Sequence, residues 1–345
     1  MILAEVFSDL QNYAPDDAER AVPDATSAVR LLEARLPQVL AALSKVAGHI
    51  GAETRAHNAA ALATARLAVR HGRLGTDFHD YHNEQHVLEL AERRLLRLVS
   101  SPAATTIARE DLTALLLFSA CHDLRQREPQ HPSGPIGGNE WASIAETLRI
   151  LVACGFDPGA DRELMTALPM MIAGSTFDIR PQPATTMRAD DVSALAGGAF
   201  ARGLGLWLDN QAPYWREDPA ALRGERLARL GADLDTGNVG EEFGLFCDTA
   251  VRLCREREMR AGRDLASAAS AAPCLAFLGL GQQHYFFELH RFCSREGERT
   301  FGLSKQANGA RVRQTTAALL AQFATQPPAH GMAVIQAFGQ CVAAA

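Results

Sequence analysis

The chain has 345 residues, 47% of them hydrophobic and 21% charged, which allows one large or two ordinary domains and excludes disordered and low-complexity classes for its bulk. Its formal net charge of -6, from 34 Lys and Arg against 40 Asp and Glu, repels a phosphate backbone at long range and argues against a bulk nucleic-acid binder. The longest strongly apolar stretch, Leu112 to Cys121, is far shorter than the ~20 residues that span a bilayer, and the N-terminus has no basic start followed by an apolar run. A cytoplasmic protein with no membrane partner is expected. The seven cysteines include no C-x-x-C pair and read as free buried thiols.

In chain order, Asn12 to Asp24 carry Pro15, Pro23 and several acidic residues, an irregular stretch that marks residues 1 to 24 as an N-terminal arm. From 25 to 345 the chain reads as one all-helical domain with extensions. Val29, Leu32, Leu36, Val39, Leu40 and Leu43 recur at three- and four-residue steps, as do Val87, Ala91, Leu95 and Leu98, and clean two-residue alternation is absent. The same pattern predicts helices over 53–70, 139–154, 161–173, 191–208, 219–233, 239–260, 274–295 and 311–323. Two Pro-containing stretches, Arg125 to Gly138 and Phe177 to Thr186, read as loops. The first follows the helix Leu112 to Cys121, which is apolar all round and so belongs at the centre of the core.

That helix delivers His122-Asp123 at its C-terminal end, where a buried ionised aspartate is costly unless a cation or donors compensate it. Upstream, His71, His79, His82 and His86 crowd into one short segment. His82 and His86 are four apart, so on a helix they share a face and can serve one site. Asp233, in Gly231-Ala232-Asp233-Leu234-Asp235, ends a further amphipathic helix and offers another carboxylate.

Histidine on a helix, then His-Asp ending an apolar helix, then a distant Asp: in this order the sequence resembles the HD superfamily of metal-dependent phosphohydrolases. Tyr81-His82-Asn83-x-x-His86 is similar to a motif of its cyclic-nucleotide phosphodiesterase branch and of related bacterial HD proteins, and Ala120-Cys121-His122-Asp123, Asn139-Glu140 and Ala232-Asp233-Leu234 follow in matching order. Arg255-Glu256-Arg257-Glu258 ahead of Phe277 adds to the likeness, which spans roughly residues 78 to 295.

The resemblance implies an all-α HD-type bundle in which His86, His122, Asp123 and Asp233 hold a divalent metal and His82 protonates the leaving oxygen. Mn, Fe, Zn or Mg suits such imidazole and carboxylate donors, and a bound cation turns its water into a nucleophile at neutral pH. Asp123 would bridge to a second metal if one binds, and Glu140 would lie near that metal's water. The implied activity is hydrolysis of a phosphomonoester or phosphodiester bond in a nucleotide or other small phosphorylated metabolite.

Departures accompany the likeness. The histidine that the branch carries three residues after the Asp is here Gln126, and its purine-reading glutamine aligns approximately with Cys274. Both count against a cyclic-nucleotide substrate. Arg125, Arg127, His131 and Arg180 sit in the two loops, with Arg125 the foremost candidate for gripping phosphate. The aromatic run Gln282 to Phe287 is expected to pack the core or a contact in a homo-oligomer. A diverged module that binds metal or nucleotide and acts in regulation or scaffolding is the alternative of a different class.

Overall fold

A computed structural model describes residues 6–130, 134–178 and 198–345, and they are overwhelmingly helical, as the periodicity predicts. His131, Arg180 and the part of the expected helix 191–208 that precedes residue 198 lie outside them. The chain divides into two compact units. The first holds Met1–Phe78, His82–Asp235 and Cys293–Thr300, the second His79–Tyr81, Thr236–Phe292 and Phe301–Ala345. Among the described residues no helix is long and apolar enough to cross a membrane.

In the first unit, α1 (Asp17–Ala21), α2 (Ala25–Arg35), α3 (Pro37–Ile50) and α4 (Thr54–Arg70) open the fold. The run that reads as one helix from 29 to 43 breaks at Leu36, because Pro37 disfavours helical backbone in the residue before it and then starts α3. In α4 every residue from Ala59 to Ala68 is buried, and its alanines at 56, 59–61, 63, 65 and 68 let neighbouring helices approach closely. Two short helices follow, α5 (Glu84–Leu88) and α6 (Leu96–Val99), joined without interruption by a π-helical turn over Glu89–Leu95.

Next come α7 (Arg109–Cys121), α8 (Gly138–Ala153), α9 (Arg162–Ser175), α10 (Leu204–Gln211) and α11 (Pro219–Asp235). In α7 every residue from Ala114 to Cys121 is buried, so the most apolar helix of the sequence is central to this unit. α9 packs extensively against α11, where a Cβ at Gly224 would meet Ala167 and the Met170 sulfur, and one at Gly231 would touch Phe118 and Met171. Phe177–Asp178 and Gly198–Ala199 pair as a two-residue antiparallel ribbon.

The N-terminal residues are built into the first unit. Val6, Phe7, Ala18 and Val22 are buried, and Phe7 meets Trp141 of α8 edge-on. Glu19 and Asp16 join a buried network. Arg66 reaches Glu19 and Glu146, Arg70 bonds both Asp16 oxygens and Glu146, and Arg149 bonds Glu19. Asp16 and Glu19, from the acidic N-terminal stretch, are the counter-charge for arginines on α4 and α8.

In the second unit, α12 (Phe243–Arg260), α13 (Ala271–Ala276), α14 (Gln282–His284) and α16 (Gly331–Ala344) surround a core containing Phe243, Phe246, Cys254, Cys274, Leu278, Phe286, Val334 and Phe338. The long helix α15 (Arg295–Gln322) contributes Val312 and Leu319. The expected helix 274–295 is interrupted, with Gly279 leaving helical backbone at ψ -110 and His290 extended. The aromatic run packs as expected in part, Phe286 being buried while Tyr285 and Phe287 line the core edge. His79 and Glu256 form a buried pair at 3.1 Å, and Glu256 also accepts from the Tyr81 amide.

Arg70→Met should destabilise the protein by about 3 kcal/mol in chemical denaturation, the lower end for a broken buried pair, because it removes the nearer cation from Glu146 and Asp16 and leaves them only Arg66 at 3.5 Å and Arg125 at 3.7 Å. Burial acts to raise the Asp16 carboxyl, but the Arg70 bonds outweigh it and hold the group well below the usual carboxylate range. Its contribution is therefore fully present above the unfolded value of about 4 and is lost as pH falls below it. In Asp16→Asn the acid limb of the pH–stability curve should flatten; an unchanged limb contradicts this.

Candidate metal centre

Three segments of the first unit deliver the site. Asn83 accepts from the Gln85 amide and starts α5, which puts His86 in its first turn. His86 is buried, and its Nδ1 faces Glu89 at 3.8 Å, with Glu89 held by Arg93 at 2.9 Å. Its Nε2 lies 3.5 Å from Asp123 Oδ2 and 3.3 Å from Asp235 Oδ1. The ring thus turns one nitrogen toward the Glu89 carboxylate and the other toward the cluster.

The second segment is the end of α7. His122 Nδ1 lies 3.2 Å from the Phe118 carbonyl, and the ring stacks on Phe118 with centroids 4.8 Å apart. A carbonyl can only accept, so Nδ1 carries the hydrogen and Nε2 faces the cluster, 3.0 Å from Asp123 Oδ2 and 3.5 Å from Asp235 Oδ1. Despite these distances, His122 Nε2 is buried with no hydrogen bond of proper geometry among the described residues.

The third segment is the end of α11. Buried Arg94, on the π-helical turn after His86, donates to the carbonyls of Leu234 and Asp235 at 3.1 and 2.5 Å. An arginine there satisfies carbonyls that the helix leaves open and complements its dipole. The clamp fixes the helix end so that the Asp235 carboxylate meets His86 and His122.

Asp233, expected as the fourth ligand, does not join them. Two residues along a helix turn the side chain by about 200°, so Asp233 and Asp235 point to nearly opposite sides. Asp233 is fully buried and accepts from the Cys293 amide at 2.7 Å, the Ser294 amide at 2.8 Å and the Ser294 hydroxyl at 2.5 Å. Gly297 makes room for it, since a Cβ there would fall 2.2 Å from its Oδ2. Burial pushes the Asp233 carboxyl up to about 7 against these donors. Asp233 therefore anchors Cys293–Thr300, and Asp235 supplies the carboxylate at the cluster.

The donor set fits a divalent cation. Ligand atoms of His86, His122 and Asp235 lie within 4.8 Å of one another and could hold a metal ion, with Asp123 Oδ2 adjoining both imidazoles. Two neutral imidazoles and two carboxylates balance one such charge. Burial opposes a charge on His122, but Asp123 and Asp235 outweigh it and hold the imidazole up to about 10. Burial would raise Asp123, yet His122, His82 and His86 keep it at about 2; Asp235 is likewise held well below the normal range by His122 and His86.

The remaining predicted residues separate. His82 stands at the rim, partly exposed, its Nε2 4.0 Å from Asp123 Oδ2 and its ring 6.2 Å from that of His86. Glu140, in the first turn of α8, has its carboxyl pushed up to about 7 by burial and by the charge of Asp123. Arg125, the foremost candidate for phosphate, is engaged by carboxylates of the same unit. It bonds Glu128 at 2.7 Å, lies 3.7 Å from both Asp16 and Glu19, and is only 11% exposed, so its charge is spent inside the structural network. Arg127 pairs with Asp77 at 2.8 Å. In the second unit Cys274 is fully buried in the core against Cys254.

No family model matches the chain, and no curated protein matches it. Among solved structures, the chain is similar to the phosphodiesterase domain of the RhoPDE fusion protein from the choanoflagellate Salpingoeca rosetta, with 13% identity and a TM-score of 0.49 over 92% of this chain and 97% of that one.

The two aspartates of α11 should separate experimentally. Asp233→Ala should lower stability by about 1–3 kcal/mol for each buried donor it orphans and leave metal content intact. Asp235→Ala should cost less stability and abolish stoichiometric metal. Elemental analysis beside urea denaturation reads both, and metal loss confined to Asp233→Ala would return the ligand role to that residue.

Proposed function

We propose that the protein is a metal-dependent phosphohydrolase that cleaves a phosphomonoester or phosphodiester bond in a nucleotide or another small phosphorylated metabolite. The observation that carries this reading is the convergence of His86, His122, Asp123 and Asp235, brought from three separate segments, with a further imidazole, His82, beside them. A divalent cation held there, Mn, Fe, Zn or Mg by its donor chemistry, would polarise a phosphoryl oxygen and lower the pKa of a bound water into the neutral range. The likeness of Tyr81-His82-Asn83-x-x-His86 and His122-Asp123 to HD phosphohydrolases supports the same reaction class.

This chain's own groups divide the remaining work. His82 faces the Asp123 carboxylate from the rim, where it can hold a proton and pass it to the departing oxygen. Glu140, whose carboxyl stands near neutrality, can take or give a proton close to Asp123. With Arg125 committed to Glu128 and to the N-terminal carboxylates, phosphate charge is met by the metal and by His82. The net charge of -6 favours a small substrate over a polyanion.

His82→Ala should retain metal and lose turnover by ~10² to 10⁴, the usual worth of positioned acid catalysis. The deficit should shrink for aryl phosphates, whose leaving groups need no proton. Metal loss in this variant, or equal deficits for good and poor leaving groups, makes His82 a ligand or structural residue. A metal-loaded wild-type protein that is inert on nucleotides, cyclic nucleotides and aryl phosphates would instead favour a regulatory or scaffold module.

A further inference from the structure

The loop after α7 contains a relay of hydrogen bonds whose direction is fixed from one end. The Glu128 backbone N–H, which can only donate, reaches Asn139 Oδ1 at 3.0 Å. That sets the Asn139 amide so that its Nδ2 donates to Gln126 Oε1 at 3.1 Å. The Gln126 amide is set in turn, and its Nε2 donates to Asp123 Oδ1 at 3.3 Å. Gln126 is buried, and Asn139 stands in the first turn of α8.

The two oxygens of Asp123 therefore have different partners. Oδ2 faces His86 at 3.5 Å and His122 at 3.0 Å, while Oδ1 accepts from an amide N–H. A carboxylate joins two cations by offering one oxygen to each, and an N–H aimed at the second oxygen presents positive charge where the second cation would stand. Charge points the same way. Asp123 and Asp235 balance one divalent ion, and the side chain that meets Asp123 Oδ1, three residues further along the chain, is the neutral amide of Gln126 and not a further charged or imidazole donor.

Resting on the metal-centre reading above, we propose that this site holds one divalent cation and that the Glu128–Asn139–Gln126 relay excludes a second by engaging Asp123 Oδ1. Gln126 is thus a positioning residue. It keeps Asp123 a one-oxygen ligand instead of a bridge.

The test is to strip the full-length protein with a chelator and titrate it with Mn2+ alone, counting bound ions by equilibrium dialysis and recording the electron paramagnetic resonance spectrum. Wild type should take up one Mn2+ per chain with an uncoupled six-line spectrum, and His86→Ala should lose it. Gln126→Glu, which replaces the donating amide by a second carboxylate oxygen pair, should raise uptake towards two and introduce a spin-coupled signal. Two equivalents with a coupled spectrum in wild type overturn the proposal while leaving the metal centre standing. One equivalent in both wild type and a folded Gln126→Glu removes the relay as the cause. No Mn2+ uptake by wild type, or uptake insensitive to His86→Ala, overturns the metal-centre reading and this proposal with it.

Discussion

Arg94 is the interaction on which the site depends. It is fully buried, sits eight residues after His86 on the same continuous run of helical turns, and ends on the carbonyls of Leu234 and Asp235. A buried guanidinium needs acceptors, and the carbonyls that a helix end leaves without intrahelical partners supply them. Satisfying Arg94 therefore brings the end of α11 to the helix that carries His86. The π-helical turn between them alters the helical phase, which lets His86 face inward while Arg94 reaches across.

Charge burial is the second organising theme of the first unit. Arg66, Arg70, Arg125 and Arg149 meet Asp16, Glu19, Glu128 and Glu146 in places where an unpaired member would be costly. The network lies directly behind the loop that follows Asp123, since Arg70 also donates to the Leu124 carbonyl at 2.5 Å and the Arg125 amide to the Ser143 hydroxyl at 3.1 Å. Residues next in sequence to Asp123 are thereby held by the same arginines that retain the N-terminal segment. These arginines, which read as solvent-facing charge, form the framework that holds the loop after Asp123.

The helices of the core were legible because an apolar stripe or an all-round apolar helix reports burial locally, as in α4, α7 and α8. His86, His122 and Asp123 were legible for a related reason: their chemistry is written in short motifs placed at one helix start and one helix end. Asp235 was hidden because it and Asp233 differ only in helical phase, and what assigns them is remote, Arg94 for one and Ser294, 61 residues away, for the other. The roles of Asp16, Glu19 and Arg125 were equally out of reach, since a polar, proline-containing stretch gives no sign that its partners are arginines on α4 and α8. The break at Gly279 and the C-terminal helix α16 depend on packing in the second unit, where the Gly331 amide donates to Ser270 and the Met332 amide to the Leu265 carbonyl.

The central claim is that His86, His122, Asp123 and Asp235 form one metal centre from which Asp233 is excluded. The most direct measurement is anomalous diffraction at the metal edge from crystals of the full chain grown with Mn2+. The account predicts a peak about 2.0–2.4 Å from His86 Nε2, His122 Nε2, Asp123 Oδ2 and Asp235 Oδ1, with Asp233 still bonded to Ser294. A peak coordinated by Asp233, or no peak among these four side chains in metal-loaded protein, would contradict it.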